Sequence, residues 1–379
     1  MKLARAGVAV VGGGVAGAAA ALTLAQRGVS ACLIAPRAPH GDRPGESLAP
    51  AANALLRELG VAEAFAAGPH RESHATYASW GAALLAQRNA IGSAEGPGHV
   101  IDRPAFERML LRAVVRAGVP VVDDTVTGTI RSSSGWSIAL AHGGPVDARF
   151  AIDASGRAAV LARDLTARRR ADRLVGAYAF VRQADHEIEP TPATMIEAVA
   201  GGWWYATLLP DFRIGLAFFS DPDGLPRRLT ADAPAWTAMV RRTLFVQRWI
   251  ESAGYAVDGA PRIASAATTW LEHAAGPAWA AAGDAAAAFD PLSSHGLTTA
   301  LWTGRRAALA AADALEGDLE APTRYATTLR RAVDDVLAQR QAIYAEERRF
   351  SGQPFWDRRA RGPHDVSGES RADVRHAIV

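Results

Sequence analysis

Cysteine and lysine are nearly absent from this 379-residue chain. Cys32 is the only cysteine, which excludes internal disulfides and a cysteine-based metal cluster and suits a reducing cytoplasm. It sits in an apolar β-type run and reads as a packed core residue. Lys2 is the only lysine; because it precedes the first strand, no ammonium group is expected in a buried site. No run of about 20 apolar residues is free of charge, so no membrane span is expected. The formal net charge is only +2, which gives no broad field for nucleic acid. The one compact basic run, Arg168, Arg169 and Arg170, reads as a solvated face. His70 and His74 stand four apart with no further ligands around them, so no metal site is expected.

Apolar residues are plentiful, at 49%, enough for a sizeable core in two domains or in one large domain with an inserted lobe. Residues 10 to 28 read VVGGGVAGAAAALTLAQRG. Behind Lys2 and Arg5 this could be the apolar part of a signal peptide. The glycines decide otherwise. Gly12, Gly14 and Gly17 fall at G-x-G-x-x-G spacing directly after the β-type run Val8 to Val11, and helix formers Ala18 to Gln26 follow. The first glycine makes a tight turn, the second lets backbone approach a pyrophosphate, and the third permits helix-on-strand packing. Gly28 ends the helix, and Ser30 to Ile34 reads as the next strand. The acidic residue that usually holds an adenosine ribose is missing there. Ala35 takes its place, followed by Pro36 and Arg37, so ribose contacts fall to backbone groups, to Arg37 or to residues elsewhere.

Further along, Glu46 and Ser47 read as opening an amphipathic helix that ends at Gly60. A second helix follows, with Asp102 as its cap, Pro104 in the first turn, Phe106, Leu110, Leu111, Val114 and Val115 at helical spacing, and Gly118 as its stop. Short strands are expected at Val121 to Ile130, Trp136 to Leu140 and Arg149 to Ala154. A meander is expected from Leu174 to Ser220, with Asp232 to Ile250 as one helix on it. An apolar strand then runs into Gly283 and Asp284, a loop holds Pro291 to His295, and a long Ala-rich helix begins near Gly296. Charged amphipathic helix follows through Phe350, and the polar stretch beyond Trp356 reads as a loose tail.

GGGVAG, GESL and AAGDAAAAFDPLSSHG, in this order and with GWWYATLLP and PFWDRR, resemble FAD-dependent monooxygenases of the glutathione-reductase-like fold. Within them the chain looks most like the tryptophan-halogenase-like branch, over most of its length up to about Arg359. The resemblance implies an α/β fold: a Rossmann-type FAD-binding domain with an inserted β-sheet substrate domain and a helical C-terminal region. The expected FAD-binding parts are 1–70, 99–172 and 271–318, the substrate parts 71–98 and 173–270, and the helical region with its tail 319–379. Gly12, Gly14, Val15, Ala16 and Gly17 would surround the FAD pyrophosphate, Asp284 the ribityl or phosphate region, and Arg103 the adenine half or diphosphate. Glu46, Ser47 and Pro291 would lie near the isoalloxazine ring, and Gly296 and Leu297 would offer N–H groups to its carbonyl edge. A helix N-terminus aimed there favours the anionic reduced ring.

Halogenases of this branch use a lysine and the glutamate of a P-L-E-S-T-G loop. Here the loop reads PLSSHG, with Ser293 at the glutamate position and His295 at the threonine position, which disfavours halogenation. The resemblance instead implies hydroxylation of an indole- or phenol-like substrate through a flavin C4a-hydroperoxide formed with O₂. The substrate is then an aromatic small molecule or the tryptophan of a partner protein, as in relatives that build quinone cofactors. Trp203, Trp204 and Tyr205 are candidates to wall the substrate cavity, and read equally as core of the inserted sheet. His295 is the candidate acid or base, or a structural histidine, and Glu46 a candidate proton relay. NAD(P)H or a separate flavin reductase would supply electrons, since no second G-x-G-x-x-G is present. A reductase resembling the geranylgeranyl-reductase group and a non-catalytic flavoprotein are the alternatives.

Overall fold

The computed structural model describes residues 6–36, 42–73, 75–89 and 95–360. Strand Ala6–Val11 lies in the middle of a parallel arrangement, pairing with Ala31–Ile34 on one side and Val146–Asp153 on the other. Val10 stands opposite both Leu33 and Ile152. Val121–Val122 and Trp279–Ala281 extend this sheet in parallel, and the hairpin Val126–Ser132/Gly135–Leu140 joins it antiparallel. A strand covered on both faces must be apolar throughout, and Val8, Ala9 and Val10 are fully buried.

Helix Val15–Gln26 is apolar all round because it is covered on all sides. The sheet covers it along strands Ala6–Val11 and Ala31–Ile34, and helix Gly296–Leu315, which also touches Val146–Asp153, packs along it. The two helices meet at a point where no side chain fits: a Cβ added to Gly304 would stand 2.2 Å from the Ala16 carbonyl oxygen. One on Gly17 would stand 1.8 Å from that of Gly12.

The second large sheet has seven strands, in the order Arg262–Ser265, Val175–Val181, Ile214–Ser220, Gly202–Leu208, Thr194–Val199, Ala75–Ser79 and Ala86–Asn89. The expected meander supplies four of them, while Ala75–Ser79 adds to Thr194–Val199 in parallel. One face of this sheet carries Trp204, Leu216 and Phe218 against Trp236, Val246 and Ile250. The single helix expected over Asp232 to Ile250 is two, Ala233–Val240 and Phe245–Ser252. The buried Glu197 carboxylate explains the break, since it accepts the N–H groups of Leu244, Phe245 and Val246 at 2.7, 2.9 and 2.9 Å and so starts a new helix.

Three further expectations are corrected. Glu46 and Ser47 are extended rather than helical: Ser47–Leu48 pairs with Gly98–Val100, and the helix starts only at Ala52, beyond Pro50. Pro354–Ala360 is a helix rather than loose tail, because Arg359 is buried and grips Asp221 with two nitrogens, at 2.9 and 3.1 Å. Arg168 is not a solvated side chain: it is half-buried and donates to the Ala285 carbonyl at 3.1 Å.

Replacing Gly304 by Ala would force the two helices apart. A loss of about 1–3 kcal/mol is expected from such overpacking, measured as a lower midpoint in urea unfolding, with weaker FAD uptake accompanying it.

Candidate functional site

The glycine turn has the geometry of a phosphate cradle. Gly12 has φ +111°, and a Cβ there would stand 2.3 Å from the Ala154 carbonyl oxygen, so no other residue fits. Around Gly14 an added Cβ would meet nothing within 4 Å, and no side chain caps the helix that follows. The orphan N–H groups of Val15, Ala16 and Gly17 therefore begin a helix that opens on free space beside the turn. These residues fit a dinucleotide pyrophosphate, which needs backbone donors and no intruding side chain. The late Gly283–Asp284 turn adjoins them: a Cβ on Gly283 would lie 2.8 Å from the Ala16 Cβ. Asp284 is half-buried, 3.6 Å from the Arg157 guanidinium. Burial lowers the pKa of Arg157 and of Arg168, and the negative charge of Asp284 opposes that shift in both.

From the crossing at Gly304 to the helix start at Gly296 is eight residues, about 12 Å at 1.5 Å per residue. This second N-terminus is also bare of any side-chain cap, and a Cβ on Gly296 would meet nothing within 4 Å. Leu297, one residue on, is buried. The fold thus presents two uncapped helix starts, one at the glycine turn and one about 12 Å along the second helix from the crossing.

Sequence reasoning missed what fixes the loop before Gly296. Asp290 is buried and caps the turn over Pro291 by accepting the Leu292 N–H at 3.0 Å. It also accepts from Arg340 Nε at 3.0 Å and the Tyr344 hydroxyl at 2.8 Å. Arg340 lies 3.1 Å from Asp172, and Trp203 Nε1 donates to the Tyr344 hydroxyl at 3.0 Å. The Asp-Pro pair ahead of LSSHG was the available signal, an N-cap residue before a first-turn proline. Asp153 does the same for the DASGR turn, accepting the Leu161 and Ala162 N–H groups at 2.8 Å each. His295 is solvent-exposed by area yet crowded by neighbouring atoms, and that crowding lowers its pKa below the usual histidine value.

Glu46 is buried, and burial raises its pKa, against a smaller opposing pull from its own and Gly45's backbone and from Arg103. Arg103 ties down the approach to it, donating to the carbonyls of Pro44 at 3.3 Å and Gly45 at 3.2 Å and pairing with Glu107 at 2.7 Å. A Cβ on Gly215 would stand 3.5 Å from Glu46 Oε1, so the carboxyl reaches the second sheet. Ser47 is half-buried opposite Val100, and its strand touches helix Gly296–Leu315. Arg37 lies outside the described residues, as does His74. Among the described residues no group of three or more metal-ligating side chains occurs.

A wall made of Trp203, Trp204 and Tyr205 together is corrected by strand alternation, which sends neighbours to opposite faces. Trp204 packs on Trp236, with ring centroids 5.0 Å apart, in the helix-covered face. Trp203 faces the other way, fully buried and stacked on Phe219 at 4.2 Å. Only Tyr205 stays half-buried, among Tyr178, Ile196 and Leu292, on the side of Glu46. Burial and the nearby Glu46 charge raise its pKa.

A glycine turn at the end of a parallel strand, an uncapped helix start and a returning Gly-Asp turn define a Rossmann-type dinucleotide-binding protein with an added sheet domain. The chain belongs to the tryptophan halogenase family, whose profile matches residues 83–376. It is 27% identical, over 92% of its length and 95% of the relative's, to the putative FAD-dependent oxidoreductase LodB of Marinomonas mediterranea. Among solved structures it resembles the peptidyl tryptophan dihydroxylase QhpG, essential for tryptophylquinone cofactor biogenesis, with TM-score 0.77 and 25% identity over 94% of this chain and 79% of that one. The fold is also that of the myxobacterial chondrochloren halogenase CndH, with TM-score 0.82 and 21% identity over 94% and 86% of the two chains. No described helix is long and apolar enough to cross a membrane.

Gly12→Ala should weaken FAD uptake roughly tenfold or more, about 1.4 kcal/mol per decade. Flavin absorbance of the purified protein, beside an unchanged far-UV circular dichroism spectrum, checks this; a fully yellow variant contradicts the placement.

Proposed function

We propose that this protein is a flavin-dependent monooxygenase that hydroxylates the indole ring of a tryptophan carried by a partner polypeptide. It is an FAD-dependent oxidoreductase of its family, and the finer reading rests on the groups gathered before Gly296. Tyr205 stands on an apolar face with Ile196 and Leu292, Glu46 lies against the same sheet, and His295 closes the loop. The likeness to a peptidyl tryptophan dihydroxylase supports a polypeptide substrate. Against halogenation stands the single lysine, Lys2. It precedes strand Ala6–Val11, about 20 Å long at 3.3 Å per residue, whose far end carries the glycine turn, and itself lies outside the described residues.

FAD, once bound and reduced, would supply the two electrons that activate O₂, one atom of which goes to the product and the other to water. Gly12, Gly14, Val15, Ala16 and Gly17 would hold its pyrophosphate, with Asp284 beside the ribityl chain and Ser47, Pro291, Gly296 and Leu297 about the ring. The bare N–H groups at Gly296 and Leu297 favour negative charge at the edge of the ring they meet. Ile196, Leu292 and Tyr178 exclude water from the space where the indole lies. Burial raises the pKa of Glu46, which favours its protonated form and suits it to a proton relay. His295 is neutral at pH 7 and takes the proton released from the indole carbon as the ring regains aromaticity.

The test is product analysis with reduced FAD, O₂ and tryptophan peptides, in chloride or bromide buffer. Mass gains of oxygen are expected. A halogenated product, or turnover without O₂, overturns the reading.

His295→Gln should keep FAD bound and lower coupled product formation by about 100-fold, the lower end of general-base effects. Because the His295 pKa is lowered, its base form fills above pH 6.5 and is lost only as pH falls through that lowered value. The wild-type rate should therefore be flat above pH 6.5 with an acid limb below it, and the variant should lack that limb. A variant with an unchanged profile removes His295 from the reaction.

A further inference from the structure

The hairpin joining strands Gly202–Leu208 and Ile214–Ser220 turns at Leu209–Arg213, closed by the Leu209 N–H to the Arg213 carbonyl at 2.8 Å and the Phe212 N–H to the Leu209 carbonyl at 3.1 Å. Phe212 has φ +62°. In hairpin loops of this kind the left-handed position belongs to Gly or Asn, since a Cβ is disfavoured there. A bulky residue at such an angle is an outlier whose presence asks for a cause. Packing is not the cause, because the ring is 57% exposed.

The turn is also braced from every side. The Tyr255 hydroxyl donates to the Phe212 carbonyl at 2.5 Å. Arg71 donates to the Leu209 carbonyl at 2.9 Å and holds its guanidinium 5.7 Å from the Phe212 ring centre. Arg213 pairs with Asp211 at 2.7 Å and grips Asp42 with two nitrogens, at 2.6 and 2.9 Å. Arg182 and Arg262 are exposed and act electrostatically on Asp42. Beside the turn, Arg71 and Arg213 thus stand with Asp42 and Asp211, and Arg182 and Arg262 lie within electrostatic reach of Asp42, four cations to these two carboxylates. The turn adjoins the candidate site, since Gly215, three residues past Phe212, lies against the Glu46 carboxyl.

We propose that Phe212 is the docking anchor of a polypeptide substrate, and that the segment it grips is acidic. This rests on the reading that the tryptophan acted upon is borne by a polypeptide. An exposed aromatic on a rigid mount is the usual form of a binding hot spot, and the arginines at its rim select and steer negative charge. The strained angle is kept because Gly, the conformationally easier residue, offers no ring to the partner.

The holoenzyme is assayed with three probes: a short tryptophan peptide with aspartate and glutamate flanks, its neutral counterpart with asparagine and glutamine, and free tryptophan. In Phe212→Gly the KM for the acidic peptide should rise tenfold or more. Its kcat, the kinetics on free tryptophan and FAD affinity should stay as in the wild type, and the unfolding midpoint should rise by about 1–4 °C as the strain is relieved. Charge reversal by Arg182→Glu with Arg262→Glu should erase the preference for acidic over neutral peptide. An unchanged KM in Phe212→Gly, or a loss confined to kcat or to FAD affinity, overturns the docking role alone. A wild-type enzyme that hydroxylates free tryptophan at least as efficiently as either peptide overturns the polypeptide reading, and the docking role falls with it.

Discussion

The site depends on one contact, the crossing of helices Val15–Gln26 and Gly296–Leu315 at Ala16 and Gly304. With a Cβ at Gly304 only 2.2 Å from the Ala16 carbonyl, the helices pack backbone to backbone. Such an approach fixes the second helix against the glycine turn more tightly than interdigitating side chains would. Its start therefore falls at a set distance from the first helix start. Both starts lack a side-chain cap, so each has orphan donors to offer. Most proteins satisfy such donors locally. Here Gly14 and His295 at the cap positions supply no side-chain acceptor, and both ends stay open.

A second constraint holds the loop that leads into Gly296. Asp172, Asp290 and the pair Arg340 and Tyr344, both on helix Ala321–Glu346, come from three separate stretches of sequence and meet in a buried network. Buried ion pairs contribute little net stability, because desolvation offsets their attraction. Removing one member is strongly unfavourable, since the others stay buried without a partner. The network thus acts on geometry more than on stability, giving the loop one conformation. The Trp203 bond to the Tyr344 hydroxyl carries the same constraint into the second sheet. Sheet, loop and C-terminal helix are in this way positioned relative to one another beside the uncapped helix start.

Local chemistry was legible in the sequence, and its long-range consequences were not. The glycine spacing, the Asp102 cap and the strands around the first helix could be read because each follows from neighbours within a turn or two; the Asp102 carboxylate indeed accepts the Ala105 N–H at 2.8 Å. The helix expected from Glu46 failed because its apolar spacing ignored pairing with Gly98–Val100, a partner about fifty residues away. Glu197 as the cap of a helix begun at Phe245, and Arg359 as the partner of Asp221, are likewise invisible to any local window. The three adjacent aromatics read equally as cavity wall or as sheet core, and the period of two separates them: Trp204 goes to the far face, and both it and Trp203 are core.

The PLSSHG loop does more than lack an acid where halogenases of this branch carry one. The Ser293 hydroxyl is turned inward and donates to the Asp290 carbonyl at 3.0 Å, so that position is built into the turn itself. A buried acid, Glu46, lies on another segment, against the second sheet. Burial raises the pKa of Glu46 and crowding by neighbouring atoms lowers that of the solvent-exposed His295, so the two titratable groups move in opposite senses. Both shifts favour the uncharged form, the protonated acid and the free base. Groups whose environments push them apart in this way are suited to the opposed roles of donor and acceptor. With little side-chain charge in play, stabilisation of any anion formed there falls to the helix start at Gly296, whose partial positive charge is fixed by the backbone and does not titrate.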